Sequence, residues 1–435
     1  MKVALLEIKN PGDSKDFNGG FGTTFEIGRS YKSKILAFVR RNLEKNPTLS
    51  YAYISAIFKK YGHKVDYYEN KLPNLKGYDL CLMHVSLIRH NEETKLISAL
   101  KEKKQCRIGV YGPLATVQPE LFYRSDLVII GEPEEAIINM AKSGIIKRGR
   151  INSQPINDLD QLPFPDWSIF LLKDFSLSPL ISAKPAIFVH ASRGCPYGCN
   201  YCPYKVFGTY RQRKPENVVK ELKHLKEKYH IKSFYFRDPT FSIGEKRIEE
   251  LANLIIKEKL NLKWGCETRV DLLTAPLLKL LYSSGLRCVK LGVESTDHQL
   301  LNSYGRKPPQ IKKQEEIVKF CKKTGIKVVA FYIIGIPNDT RESILSTIKY
   351  SHKLNTSFAN FTICTPIPGT YFYNNIKGKI FEKNLNKFDN FHVVFNHKHL
   401  SKEEIYSLQE KAITSYYFRV RYIGRYLLDK LAERE

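Results

Sequence analysis

Residues 186–366 alternate six times between a short apolar run and a polar or helix-period stretch, and this repetition limits the possible folds more than any other feature of the chain. The runs are 186–192, 233–238, 262–269, 288–295, 327–335 and 360–366, and each but the last is followed by a helical segment such as 215–229 or 275–285. Alternating strands and helices build parallel sheets, because parallel neighbours need a crossover connection. Six units predict an incomplete relative of the eightfold barrel, with its chemistry at the C-terminal ends of the strands. The residues at those ends include Arg193, Asp238, Arg269, Glu294 and Gly335 with its neighbours.

The first 150 residues show the same alternation in a second, independent block. Runs 2–8, 64–69, 78–85, 106–112 and 126–132 predict five strands. Between the first two, Leu49, Tyr53, Ile57 and Tyr61 recur at helical spacing, and Gly62 follows where a helix end favours glycine. Five strands predict a doubly wound, Rossmann-like domain that binds ligands in the loops after Ile8, Val85, Val110 and Ile130. No GxGxxG stretch is present, so a dinucleotide is not expected. The prolines, acids and aromatics of 156–170 lack periodicity and predict a linker packed across a surface. The chain is thus expected to be α/β, with a Rossmann-like domain over 1–150, a linker over 151–185, a partial (β/α)6 barrel over 186–370 and a mainly helical extension over 371–435.

Composition narrows the functional classes. With 43% hydrophobic residues, a disordered or fibrous chain is excluded. The longest apolar run, 328–337, is well short of the ~18 residues a spanning helix needs, and Glu7 interrupts the N-terminus before a signal-peptide core forms. A cytoplasmic protein is expected. Lys+Arg exceed Asp+Glu by 70 to 44, giving +26. This excess suits nucleic acid, anionic lipid or an acidic protein, or a lysine-rich surface with no such partner.

Of nine cysteines, Cys195, Cys199 and Cys202 form C-x3-C-x2-C directly after the first barrel strand. Gly194, Pro196 and Gly198 permit a tight loop, so three thiolates can surround one small metal centre. Structural zinc takes four ligands, and the loop holds no fourth Cys or His. His190 is near, but reads as a strand-end residue. A four-iron cluster held by three cysteines keeps one iron open for a substrate or cosubstrate. The other six cysteines sit mostly in apolar patterns and are expected in the core.

This loop, with Tyr201 before the third cysteine, resembles the radical S-adenosylmethionine (SAM) superfamily. The resemblance extends over roughly residues 100–370 through FRDPTF, WGCETRVD, LGVES, IIGIPNDT and TPIPGT, and points to the subgroup whose barrel follows a cobalamin-binding domain. It implies a 4Fe-4S cluster on Cys195, Cys199 and Cys202 and reductive cleavage of SAM to methionine and a 5′-deoxyadenosyl radical. It further implies that Asp238, Glu267, Arg269 and Glu294 hold the methionine and ribose end of SAM, while Tyr201 and the backbone at Gly335 flank adenine. The N-terminal domain would then be of the cobalamin-binding type. No D-x-H-x-x-G stretch offers cobalt a lower histidine ligand, and Pro113 and Leu114 follow Gly112 where a histidine is common.

The activity implied is cobalamin-dependent methylation of an unactivated carbon in a small or lipid-like metabolite. The alternatives are an oxidoreductase or cyclase with the N-terminal domain as scaffold, and a tRNA-modifying enzyme. No appended RNA-binding module is evident at the C-terminus, so nucleic acid is not favoured. The basic surface suits an acidic electron donor such as flavodoxin or ferredoxin. The segment 416–431, rich in Tyr, Phe and Arg, is expected to pack on the core, with contact to an anionic membrane surface as the alternative.

Overall fold

The computed structural model describes residues 1–24 and 27–432, with side chains through Tyr426 except at positions 43 and 44. Its N-terminal sheet holds β1 (Lys2–Glu7), β2 (Lys64–Glu69), β3 (Leu80–His84), β4 (Arg107–Tyr111), β5 (Leu127–Ile130) and β6 (Gly149–Asn152). The order is β2-β1-β3-β4-β5-β6 and every pairing is parallel. The order in which strands are added reverses between β1 and β3, where doubly wound sheets open a ligand crevice. The sixth strand goes beyond the five expected: it is an edge strand with a mostly exposed burial pattern, paired through its backbone and carrying no apolar run.

The helix at Leu49–Lys60 forms where predicted, and Gly62 ends it at φ +79°. It is buried on more than one face, however, from Leu49 to Phe58. Its second face is covered by the 156–170 segment: Asp166 N–H donates to the Ala52 carbonyl, Ser55 donates to the Asp166 carboxylate at 2.7 Å, and Trp167 is fully buried.

The second sheet contains β7 (Ala186–Val189), β8 (Ser233–Phe236), β9 (Lys263–Thr268), β10 (Leu286–Glu294), β11 (Lys327–Ile334) and β12 (Phe358–Ile363), parallel and in sequential order. Burial is continuous along β7 and β8, as two-sided coverage requires, and alternates with half-buried positions along β12. The C-terminal helix Lys402–Tyr417 lies along β12: Gln409 donates to the Phe361 carbonyl and Tyr417 to that of Ala359. Tyr416 and Tyr422 continue this packing onto Thr356 and Ser357. The 416–431 segment therefore packs on the barrel through Tyr416, Tyr417, Tyr422 and Tyr426, while Phe418, Val420 and Ile423 stay exposed; the side chains of its last residues, 427–431, lie outside those described. Among the described residues no helix is long and apolar enough to cross a membrane.

Candidate active site

The loop after β7 carries the clustered cysteines, and glycine and buried charge set its path. Gly194 takes φ +75°, and a Cβ there would strike the Thr209 carbonyl, so the turn needs glycine. Just before it, Arg193 pairs with Glu132 at 3.1 Å, from the turn after β5, and with Glu134 at 2.8 Å, the first residue of the helix that follows, and Arg211 also pairs with Glu132. These groups are nearly buried, so removing one partner strands a charge at a cost of about 3–5 kcal/mol. On the far side, Asn200 N–H donates to the Tyr304 carbonyl at 3.0 Å, and Gly305 at φ +70° lies against Gly198.

Cys195, Cys199 and Cys202 all line one cavity of about 270 Å³ in the barrel mouth. Burial raises the Cys199 thiol, with Arg306 opposing, and pushes Cys202 up to about 12. Such thiols stay protonated until a cation binds them. Among the described residues no three side chains have the spacing to hold a single metal ion. Three thiols lining one cavity suit a multi-iron centre.

The remaining walls bring acceptors and donors together. Glu267 and Glu294 are both raised, primarily by burial, with Arg237 and Arg306 their respective nearest offsets. Glu294 ends β10 at φ +65°, beyond a register break after Gly292. A non-glycine residue held there stores roughly 1–3 kcal/mol of strain, of the kind that gathers at functional sites. Arg306 lies 3.5 Å from Glu294 and donates to the Gly292 carbonyl at 2.6 Å, leaving its buried Nε without a partner. Arg269 is fixed by Asp271 at 2.9 Å and the Lys307 carbonyl at 2.7 Å, with its guanidinium 4.2 Å from the Tyr197 ring. The Tyr201 hydroxyl, also on the cavity wall, is buried with no partner. Unpartnered donors beside half-buried carboxylates fit a zwitterionic ligand such as the methionine end of SAM.

Two predicted residues lie off this cavity. Asp238 is fully buried and accepts from Ala191 N–H at 2.9 Å and the Ser192 hydroxyl at 2.5 Å, tying the end of β8 to that of β7. Gly335, at φ +78°, packs against Ile405, with its N–H donating to Asp339 at 3.1 Å. Conversely, Thr240, Lys290, Arg306, Asn360 and Thr362 line the cavity without having been singled out in the sequence. Strand alternation carries a signal for Lys290, two residues before Gly292 and four before Glu294 in an otherwise apolar run. Arg306 lies in an aperiodic stretch and has none.

A smaller cavity, of about 170 Å³, opens at the carboxyl ends of the N-terminal strands. Its lining includes Asp16 and Gly20 after β1, His84, Gly112 after β4 and Glu132 after β5, and it faces His190 and Arg237 of the barrel. Burial depresses His84 to about 3 and leaves its Nδ1, the Nδ1 of His190 and a Glu134 oxygen without partners. A Cβ on Gly112 would strike the His84 ring, so the backbone approaches the crevice closely. Unsatisfied polar atoms around a glycine-lined floor fit an amide-rich ligand such as a corrin in chemistry, whereas ligand pockets generally span about 300–1,000 Å³. Tyr204 and Pro239 line both cavities and form the wall between them.

A three-thiol loop in the mouth of a six-stranded partial barrel, set against a Rossmann-like sheet, defines the class as an iron–sulfur enzyme with an open barrel. Residues 189–351 match the Radical SAM superfamily. The chain is 31% identical over 335 residues to an uncharacterized methyltransferase of Pyrococcus horikoshii, covering 71% of this chain and 72% of that protein. It therefore belongs to the radical SAM superfamily, enzymes that work with a 4Fe-4S cluster and SAM. An anaerobic magnesium-protoporphyrin IX monomethyl ester cyclase of Rubrivivax gelatinosus is 28% identical over 281 residues, covering 59% of this chain and half of the cyclase. The fold as a whole is similar to that of the radical SAM methyltransferase TsrM from Kitasatospora setae, solved with cobalamin and a 4Fe-4S cluster. That TM-score is 0.63 at 13% identity, covering 87% of this chain and 74% of that one.

Proposed function

We propose that this enzyme is a cobalamin-dependent radical SAM C-methyltransferase. The observation that carries the reading is the convergence of three thiols, two half-buried carboxylates and Arg306 on one cavity, one wall away from the crevice of the N-terminal sheet. Cys195, Cys199 and Cys202 would hold the cluster. Glu294 and Glu267 would accept from the ammonium of SAM, Arg306 and Arg269 would pair its carboxylate, and Tyr201 would lie beside adenine. When bound, the cofactors supply one-electron cleavage of SAM, hydrogen abstraction from carbon and the methyl group. The chain's part is to hold the methionine end rigidly, to compensate its charges and to keep water out.

In this reading residues 1–150 form the cobalamin-binding-type domain, 151–185 the linker, 186–370 the radical SAM barrel and 371–435 the helical extension. The basic surface would receive an acidic flavodoxin or ferredoxin, with a rate that falls as salt rises. Nine free cysteines suit the reducing cytoplasm. The size of the crevice, about 170 Å³, favours a second reading, in which the N-terminal domain is a scaffold and the enzyme an oxidoreductase or cyclase.

The cluster assignment is tested by replacing Cys195, Cys199 and Cys202 with Ala. Iron uptake and the thiolate-to-iron absorbance near ~400 nm should vanish. A triple variant that keeps both would sink it.

A further inference from the structure

The helix at Tyr31–Leu43 wears its apolar side outward. At about 100° per residue, Tyr31, Ile35, Phe38 and Val39 fall within one sector about 100° wide, which also takes in the exposed Asn42, and they are 79%, 41%, 69% and 46% exposed. The opposite sector holds Ser33 and Ala37, both buried, and Arg40, which lines the cysteine cavity. Lys32 flanks the apolar sector on one side, Lys34 and Arg41 on the other. From Arg29 to Asn42 the sequence contains five cations and no acid. The nearby Glu410 turns inward, accepting from Ser30, Ser33 and the Arg29 N–H. The patch continues onto the C-terminal segment: Lys32 Nζ lies 5.4 Å from the Phe418 ring, and Phe418, Val420 and Ile423 are exposed at 39%, 89% and 44%.

We propose that this face docks on an anionic lipid bilayer, so that the helix lies in the headgroup layer and an amphiphilic substrate reaches the cysteine cavity from the membrane side. Large apolar side chains with lysines and arginines along both edges are what an interfacial helix needs: the rings enter the acyl boundary while the cationic heads reach back to phosphates. A second copy of the chain is a poorer occupant. A two-fold contact would set the lysines and arginines of this patch against the same patch of the second copy, which offers no acid to receive them. Nucleic acid would leave the outward rings of Tyr31 and Phe38 and the side chains of Ile35 and Val39 largely unused. The choice of substrate class rests on the proposed function above; the docking itself does not.

The test is co-sedimentation of the full chain with phosphatidylcholine vesicles, alone or carrying about one-third phosphatidylglycerol. Binding is expected only to the anionic vesicles and should weaken as salt rises. Ile35→Glu with Phe38→Glu, both at exposed positions, should lower the partition at least about tenfold with an unchanged circular dichroism spectrum. Lys32→Glu with Lys34→Glu should lower it as well. Equal sedimentation with neutral and anionic vesicles, or wild-type binding by the Ile35/Phe38 variant, overturns the proposal. So does a dimer in solution that the Ile35/Phe38 variant dissolves. SAM cleavage in lipid-free buffer should be the same in that variant as in wild type. Docking with no cleavage in either protein would therefore condemn the proposed function and leave the membrane surface standing.

Discussion

Charge compensation governs the site at the scale of single residues. Glu294 is partly buried, held at positive φ and offset chiefly by Arg306. Glu294→Ala should weaken SAM binding, read by equilibrium dialysis, while leaving iron content intact; unchanged affinity would return the residue to a structural role. Arg306→Met leaves the carboxylate stranded and should cost about 3 kcal/mol of stability in denaturant unfolding. Asp238 gives a pH signature. Burial raises it from the ordinary 3.8 to about 6, so between these values the folded chain keeps a proton that the unfolded chain has lost. That contribution is complete below about pH 4 and is lost as pH rises towards 6. Asp238→Asn should therefore flatten the fall in stability over this window, and an unaltered slope in unfolding titrations would refute the assignment. The cysteines, Glu267, Arg269 and Glu294 were legible because strand ends and cysteine spacing mark them. Asp238 is equally conspicuous in sequence, yet its acceptors face the β7 end; nothing in the spacing of a strand-end aspartate distinguishes a ligand from a latch.

Among the elements, the segment between β1 and the outward-facing helix decides how the two cavities communicate. It spans residues 8–30, long for a loop in a compact domain and of the length that usually carries function. Its described part is anchored by the fully buried Lys15–Glu93 pair at 2.7 Å and by Asp13 with Arg89. Beyond the anchor, Arg237 donates to the Asp16 carbonyl at 2.7 Å and its guanidinium lies 3.9 Å from the Phe17 ring, while Gly19 and Gly20 press on Pro203 and Pro113. A corrin in the crevice requires this tip to draw back. Hydrogen exchange with and without hydroxocobalamin should then show faster exchange at Gly20, Phe21 and Gly22, whose amides bond within the tip, and slower exchange after β3 and β4. Identical exchange would support the scaffold reading. Buried parallel strands were readable as apolar runs. The polar edge strand β6 and this loop were not, since neither carries a hydrophobic period.

Considered whole, the molecule is two parallel sheets whose carboxyl ends face one another, with a cavity at each and the 16–20 segment, Tyr204 and Pro239 between them. The alternation of strands and helices announced both sheets, and the cysteine loop announced the chemistry of one mouth. How the mouths meet was beyond the sequence, because it depends on buried pairs distant along the chain, such as Glu132 and Glu134 with Arg193. The same is true of the outward apolar helix: helical periodicity reveals two faces, and only packing tells which of them is covered. The most direct test is anaerobic. The reconstituted, reduced enzyme is given SAM and cobalamin, and the nucleosides and bound corrin are measured together. A cobalamin-dependent methyltransferase should give 5′-deoxyadenosine, S-adenosylhomocysteine and about one corrin per chain. Deoxyadenosine with neither corrin nor adenosylhomocysteine would rule out the methyltransferase and leave a radical enzyme on a scaffold, and no deoxyadenosine at all would rule out SAM cleavage by this enzyme.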